Sequence, residues 1–158
     1  MADQRPPQLV ADELTTVHEL LQFQRESLVR KVDGVSEEDA RRSPVQSGTS
    51  LLWLMKHISF AERIWIMGRF AAIEGSVPDD AVGPGDSLAA AVDYYRKTWH
   101  DVDEIVSASS LDEQARMMES GRQPVNLRWI LMHLLEETAR HAGHADILRE
   151  LLDGSTGR

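Results

Sequence analysis

From Asn126 to Gly154 the chain reads NLRWILMHLLEETARHAGHADILRELLDG, and apolar residues return every three or four positions: Leu127, Ile130, Leu131, Leu134, Ala145, Leu148 and Leu152. A stripe with that period is the core-facing side of one long α-helix. Asn126 suits the N-cap, where a short side-chain oxygen takes up a free backbone N–H, and Gly154 suits a left-handed exit. Inside the stripe, where leucine or alanine would be the unforced choice, stand Glu137 and His141. Four positions apart, they lie one turn from each other and about 40° apart around the axis. His133 and His144 sit on the neighbouring flank. A carboxylate and an imidazole turned into a core are costly unless something pairs with them, and a metal ion pairs with both.

Three further amphipathic segments precede this one. Residues 8–32 predict a first helix with Leu9 and Val10, Leu14, Val17 and His18, Leu21, Leu28 and Val32 on its buried side, ended by Gly34. Ser36, followed by Glu37, Glu38 and Asp39, predicts a cap and an acidic first turn for a short helix. After a connector over 44–48, Thr49 or Ser50 caps a second long helix running to near Gly75, with Leu51, Leu54, Ile58, Ala61, Ile64 and Trp65 inward and His57 within that face. The segment 75–86, GSVPDDAVGPGD, reads as a loop with room to cross from one end of a bundle to the other. Asp86 or Ser87 caps a third helix that buries Leu88, Ala91, Val92, Tyr95, Trp99, Val102 and Val106, and a polar loop over 109–125 leads into the fourth. Residues 1–7 form a polar, loosely ordered lead-in. With no internal repeat and no convincing strand, the expected fold is all-α: a four-helix bundle, one domain over 1–158, with long crossover connections. Two of its three connections are long enough for an arrangement other than up-down-up-down.

Charge and composition narrow the function. A formal net charge of −9, with basic residues scattered among acids, argues against nucleic acid as a partner. There is no apolar run that resembles a signal peptide or spans a membrane, so the expected location is cytoplasmic. Cysteine is absent, which removes disulfides, thiolate ligands and a protein thiol nucleophile. Any metal must sit on His, Asp or Glu, and any thiol chemistry must use a thiol from outside.

His57 on the second helix, with Glu137 and His141 on the fourth, fits one metal ion. A pair at i and i+4 completed by a ligand from a facing helix is how bundles build interior sites. Two imidazoles and one carboxylate leave a tetrahedral ion one open position, as in catalytic zinc sites, and the same set suits Ni²⁺ or Fe²⁺. Plainer roles stand beside this one. A core histidine is often only a hydrogen-bonded structural group. Glu137 could pair with Arg140 or Arg128 at the surface, His141 and His144 could form an alternative ligand pair, and His133 could be an outer partner. His18 and His100 have no visible partner and read as structural. The four tryptophans, Trp53, Trp65, Trp99 and Trp129, read as core or interface residues, with one or two lining an apolar pocket beside the metal as the second reading. Asp79 and Asp80 read as solvated. Gly143, inside the fourth helix, suggests either close packing against a neighbour or plain tolerance.

Two segments carry a family resemblance: LLWLMKHISFAERIW, residues 51–65, and EETARHAGHADILRELLDG, residues 136–154. Together they resemble the DinB-like superfamily of metal-binding four-helix bundles, in particular its actinobacterial mycothiol-dependent S-transferase branch. The resemblance implies a divalent metal, zinc first with nickel or iron as alternatives, held by a His on helix two and a pair four apart on helix four. Carried across, these are His57, Glu137 and His141. A Glu at the position of 137 is similar to the mycothiol-dependent group, and His144 falls beside the site, outside the ligand set. Mycothiol-dependent relatives include a maleylpyruvate isomerase with an additional C-terminal domain. This chain stops a few residues after the fourth helix, so a stand-alone thiol S-transferase is the better analogy. The implied chemistry is attack by metal-activated mycothiol, or a similar small thiol, on a small electrophile, with His133 or His144 carrying the proton and a homodimer as the assembly. The rival expectations are a non-catalytic metal-binding bundle of stress response or storage, and a metal-dependent hydrolase.

Overall fold

The computed structural model describes residues 4–75, 77–118 and 120–156, and among these it is helical with no strand beyond a single bridge between Gln114 and Asn126. The expected lead-in over 1–7 therefore lies partly outside the described residues. Helix α1 spans Glu13–Val32, α2 Glu37–Arg41, α3 Leu51–Glu62, α4 Leu88–Ser107 and α5 Leu127–Asp153, and α3 continues directly as a π-helical segment, π1, over Arg63–Phe70. No described helix is long and apolar enough to cross a membrane.

Side-chain caps set most of the starts. Ser36, Ser50, Ser87 and Asn126 each accept a hydrogen bond from a backbone N–H of the first turn of α2, α3, α4 and α5, and Gly154 closes α5 at φ 74°. Helix α1 begins later than its apolar pattern predicts. The Asp12 carboxylate accepts from the Thr15 N–H at 2.8 Å, so the cap falls there and residues 8–11 stay irregular, with Val10 fully exposed. The second long helix also ends earlier than Gly75. Arg69 and Phe70 give their carbonyls to the backbone N–H groups of Met117 and Arg116, at 2.8 and 3.2 Å, instead of to a further turn. The wider π winding was not foreseen either. It places Arg63 on Asp101 of α4, at 3.0 Å, and Trp65 on Trp129 of α5, ring centroids 5.3 Å apart.

Two apolar clusters fix the topology. One gathers the end of α1 (Leu28, Val32), the starts of α3 and α4 (Leu51, Leu88) and the end of α5 (Leu148). The other gathers the start of α1 (Val17, Leu21), the end of π1 (Phe70), the end of α4 (Val106) and the start of α5 (Leu127). Hence α1 runs parallel to α5, and α3 parallel to α4, with the two pairs antiparallel. Helix α5 packs against α1 and α3, and α3 against α4. A parallel pair with α3 leading into α4 needs a connection that returns the length of the bundle, and residues 77–87 belong to that crossover.

Between the two clusters lies a buried polar layer. Arg25 of α1 is fully buried, and its Nε and Nη2 donate to the two carboxylate oxygens of Glu62, also fully buried, at 2.9 and 2.6 Å. Its Nη1 donates to Asp103 of α4 at 2.9 Å, the Tyr95 hydroxyl donates to Glu62 at 3.0 Å, and His18 stands 3.1 Å from Asp103. Burial, then the neighbouring Glu62 charge, pushes the Tyr95 hydroxyl well above its ordinary value, so it acts as a donor. Burial would raise Asp103, but the His18 hydrogen bond and the Arg25 charge prevail and hold it below the usual carboxylate range. His18 is thus a partnered residue. Gly143, by contrast, has open space where a Cβ would stand, so close packing does not explain it.

Candidate metal centre

The α3–α5 contact places His57 opposite Glu137 and His141. Each of the three offers one ligand atom, and those atoms all lie within 4.8 Å of one another. Glu137 Oε1 is 3.1 Å from His141 Nε2 and 3.5 Å from His57 Nε2. The second distance is too long for a good N–H···O hydrogen bond. Ligand atoms held at about 2.1 Å around a tetrahedral ion stand about 3.4 Å from each other, so the His57 spacing matches a shared cation better than a direct bond, while the His141 contact is within hydrogen-bond range. The other oxygen, Oε2, accepts from Arg140 at 2.9 Å, while Arg128 is occupied with Glu13 and Asp112. Glu137 thus keeps a surface partner on one oxygen and turns the other inward.

The protonation states suit a cation. Burial raises Glu137, but the charge and hydrogen bond of His141, with the His57 contact, outweigh it and hold the carboxyl below its ordinary range. Burial lowers His141, Glu137 opposes, and the neighbouring His57 and His144 reinforce the fall, so the net shift is downward. An ionised carboxylate and a neutral imidazole are the forms a metal requires.

Both imidazoles are held from behind. His57 Nδ1 lies 2.9 Å from Asp80 Oδ2, and the Trp53 ring stacks on the imidazole with centroids 4.6 Å apart and planes 17° apart. His141 Nδ1 lies 3.3 Å from His144 Nδ1, which leaves its Nε2 toward Glu137. Metal-binding histidines are commonly oriented in this way. His144 thus stands behind a candidate ligand, itself exposed and outside the trio. His133 is placed elsewhere: its ring stacks on Trp129 and meets Trp65 edge-on, centroids 5.1 and 4.9 Å away, and faces Glu136. Eight residues before His141, it is about 12 Å away along the helix axis. His100 is exposed on α4, 3.7 Å from Glu104.

Sequence reasoning missed Asp80, which the crossover carries back over α3, and the Arg25–Glu62 pair. Of the tryptophans, Trp65 is buried, Trp53 belongs to the site, Trp99 lies under Arg25 and Trp129 is exposed. Ligand identity, spacing and outer partners all fit a divalent cation, which would be held by His57, Glu137 and His141.

Comparison with known proteins bears on the fold and the family. A crystal structure of a conserved protein from Enterococcus faecalis superposes with a TM-score of 0.69 at 15% identity, covering 92% of this chain and 100% of that one. At that identity the likeness shows the helical fold. No curated protein matches the sequence. The family model described as mycothiol-S-transferase matches residues 16–154, a span that runs from the first turn of α1 to the glycine closing α5 and contains all three candidate ligands. The chain belongs to the mycothiol S-transferase family.

Proposed function

We propose that the protein is a cytoplasmic, divalent-metal-dependent thiol S-transferase, with zinc as the metal and mycothiol as the thiol, joining the thiol sulfur to a small electrophile. The observation that carries this reading is the convergence of His57, Glu137 and His141 within 4.8 Å in a member of this family. The absence of cysteine supports it, because the nucleophilic sulfur then belongs to a substrate. A free thiol has a pKa near about 8.5. A divalent cation on the trio would supply the charge that makes a bound thiol a thiolate near neutral pH.

The chain's own residues do the rest. His57 and His141 present Nε2, and Glu137 presents Oε1 with its negative charge. Asp80 and His144 hold the two rings, and Trp53 shields one face of His57 from water. We assign the proton-carrying role to His144, which is exposed and one hydrogen bond from a ligand, and a packing role to His133. The protein supplies position and charge, and no covalent intermediate on a side chain is needed. We further propose that it acts as a single domain and a homodimer, using the outer face of α5 where Trp129, Met132, Ile147 and Leu151 are exposed.

Turnover tests the reading. Zinc-loaded protein is expected to conjugate mycothiol to a fluorogenic thiol-reactive electrophile well above the uncatalysed rate, with glutathione a poorer donor. A rate equal to the background, with zinc bound, would favour the non-catalytic bundle, and thiol-independent hydrolysis would favour a hydrolase.

A further inference from the structure

The crossover between π1 and α4 is fastened to the metal centre by adjacent residues of α3. Lys56 Nζ donates to Asp86 at 2.6 Å and to the carbonyl of Ala81. His57, the next residue, meets Asp80 at 2.9 Å. Arg41 of α2 donates to the carbonyl of Gly83, at 3.2 Å, and to that of Asp86. Within the loop, the Asp79 carboxylate accepts from the Ala81 N–H at 2.8 Å and the Asp86 carboxylate from the Gly83 N–H at 2.7 Å. Asp80 is therefore held on both sides by a braced segment.

A carboxylate only accepts, so its bond to His57 places a ring proton on Nδ1, and in the neutral ring the lone pair then falls on Nε2. Nε2 is the nitrogen that faces Glu137, 3.5 Å away. An isolated imidazole is free to carry its proton on either nitrogen and to turn about its side-chain bonds. With Trp53 stacked on its face and Asp80 on its edge, His57 is restricted in both respects.

We infer that Asp80 is the positioning residue of the metal centre: delivered by the crossover and braced by Lys56 and Arg41, it selects the His57 tautomer and sets metal affinity without being a ligand. The inference rests on His57 acting as a ligand, as proposed above. It makes the long connection part of the site.

Two readouts test it. In metal-free protein labelled with ¹⁵N-histidine, long-range ¹H–¹⁵N spectra are expected to show the His57 proton on Nδ1 in the wild type and a shift toward Nε2 in Asp80→Ala. Zinc affinity, measured by competition with a chromogenic chelator, is expected to weaken about 10- to 100-fold in Asp80→Ala, the range for loss of an outer partner. Asp80→Asn, which keeps an acceptor but not the charge, is expected to weaken it less, and it replaces the alanine variant if that fails to fold. An unchanged tautomer with unchanged zinc affinity overturns the inference. An unchanged tautomer with weakened affinity also overturns it, by making Asp80 a direct ligand. Wild-type protein that binds no zinc overturns the metal reading itself, whereas wild-type binding matched by both Asp80 variants sinks this inference alone.

Discussion

Glu62→Ala is expected to destabilise the fold by about 3–5 kcal/mol, the usual cost of leaving one member of a buried ion pair unpaired. Arg25 and Glu62 have no exposed surface, and the guanidinium engages both carboxylate oxygens. Removing the carboxylate leaves Arg25 with Asp103 and Gln22 as its hydrogen-bond partners among the described residues, and leaves the Tyr95 hydroxyl without its Glu62 acceptor. For a domain of this size that loss corresponds to a fall in Tm of roughly 6–20 °C. Arg25→Met is expected to be comparably damaging, because it strands the carboxylate instead. The double variant Arg25→Met, Glu62→Leu should recover much of the loss, since apolar replacement of a whole buried pair is often neutral. Chemical denaturation of the two single variants and the double variant measures this. Additive losses would mean that the pair does not act as a unit.

The second large effect concerns the site. His57→Ala is expected to weaken zinc binding by more than about a hundredfold, beyond the range for an outer partner, and to reduce thiol transfer to background. Stability of the metal-free protein should change far less than in Glu62→Ala, because His57 is partly exposed and lies outside the buried polar layer. A melting curve, a chelator competition and a turnover assay on the same preparation separate the two effects. Unfolding of the metal-free variant on the scale of Glu62→Ala would mean that His57 is a structural residue.

Both residues bear on what could be read before the fold was known. The α5 helix, with its Asn126 cap and Gly154 exit, was legible because local chemistry decides both ends. The convergence of the trio was legible because polar residues at stripe positions of two helices stand out, and the family resemblance pointed to the same three residues. The buried layer left a weaker trace. Leu21, Arg25, Leu28 and Val32 step by four, three and four, and Ile58, Glu62 and Trp65 by four and three, so both charges occupy core positions. Their apolar stems and mutual pairing hide in a pattern that counts only apolar residues. Asp80 reads from the sequence as solvated, and nothing there points to its contact with His57. Its partner is 23 positions away, across a loop whose course depends on α3 and α4 running parallel. The π-helical winding of Arg63–Phe70 also has no local signature, since its apolar spacing continues that of α3.

The centre itself is tested most directly by anomalous diffraction at the zinc edge from crystals of the zinc-loaded protein. The account predicts a single peak per chain, within about 2.0–2.2 Å of His57 Nε2, Glu137 Oε1 and His141 Nε2, with Asp80 and His144 outside bonding distance. A peak at any other cluster, or none between these three atoms, would contradict it.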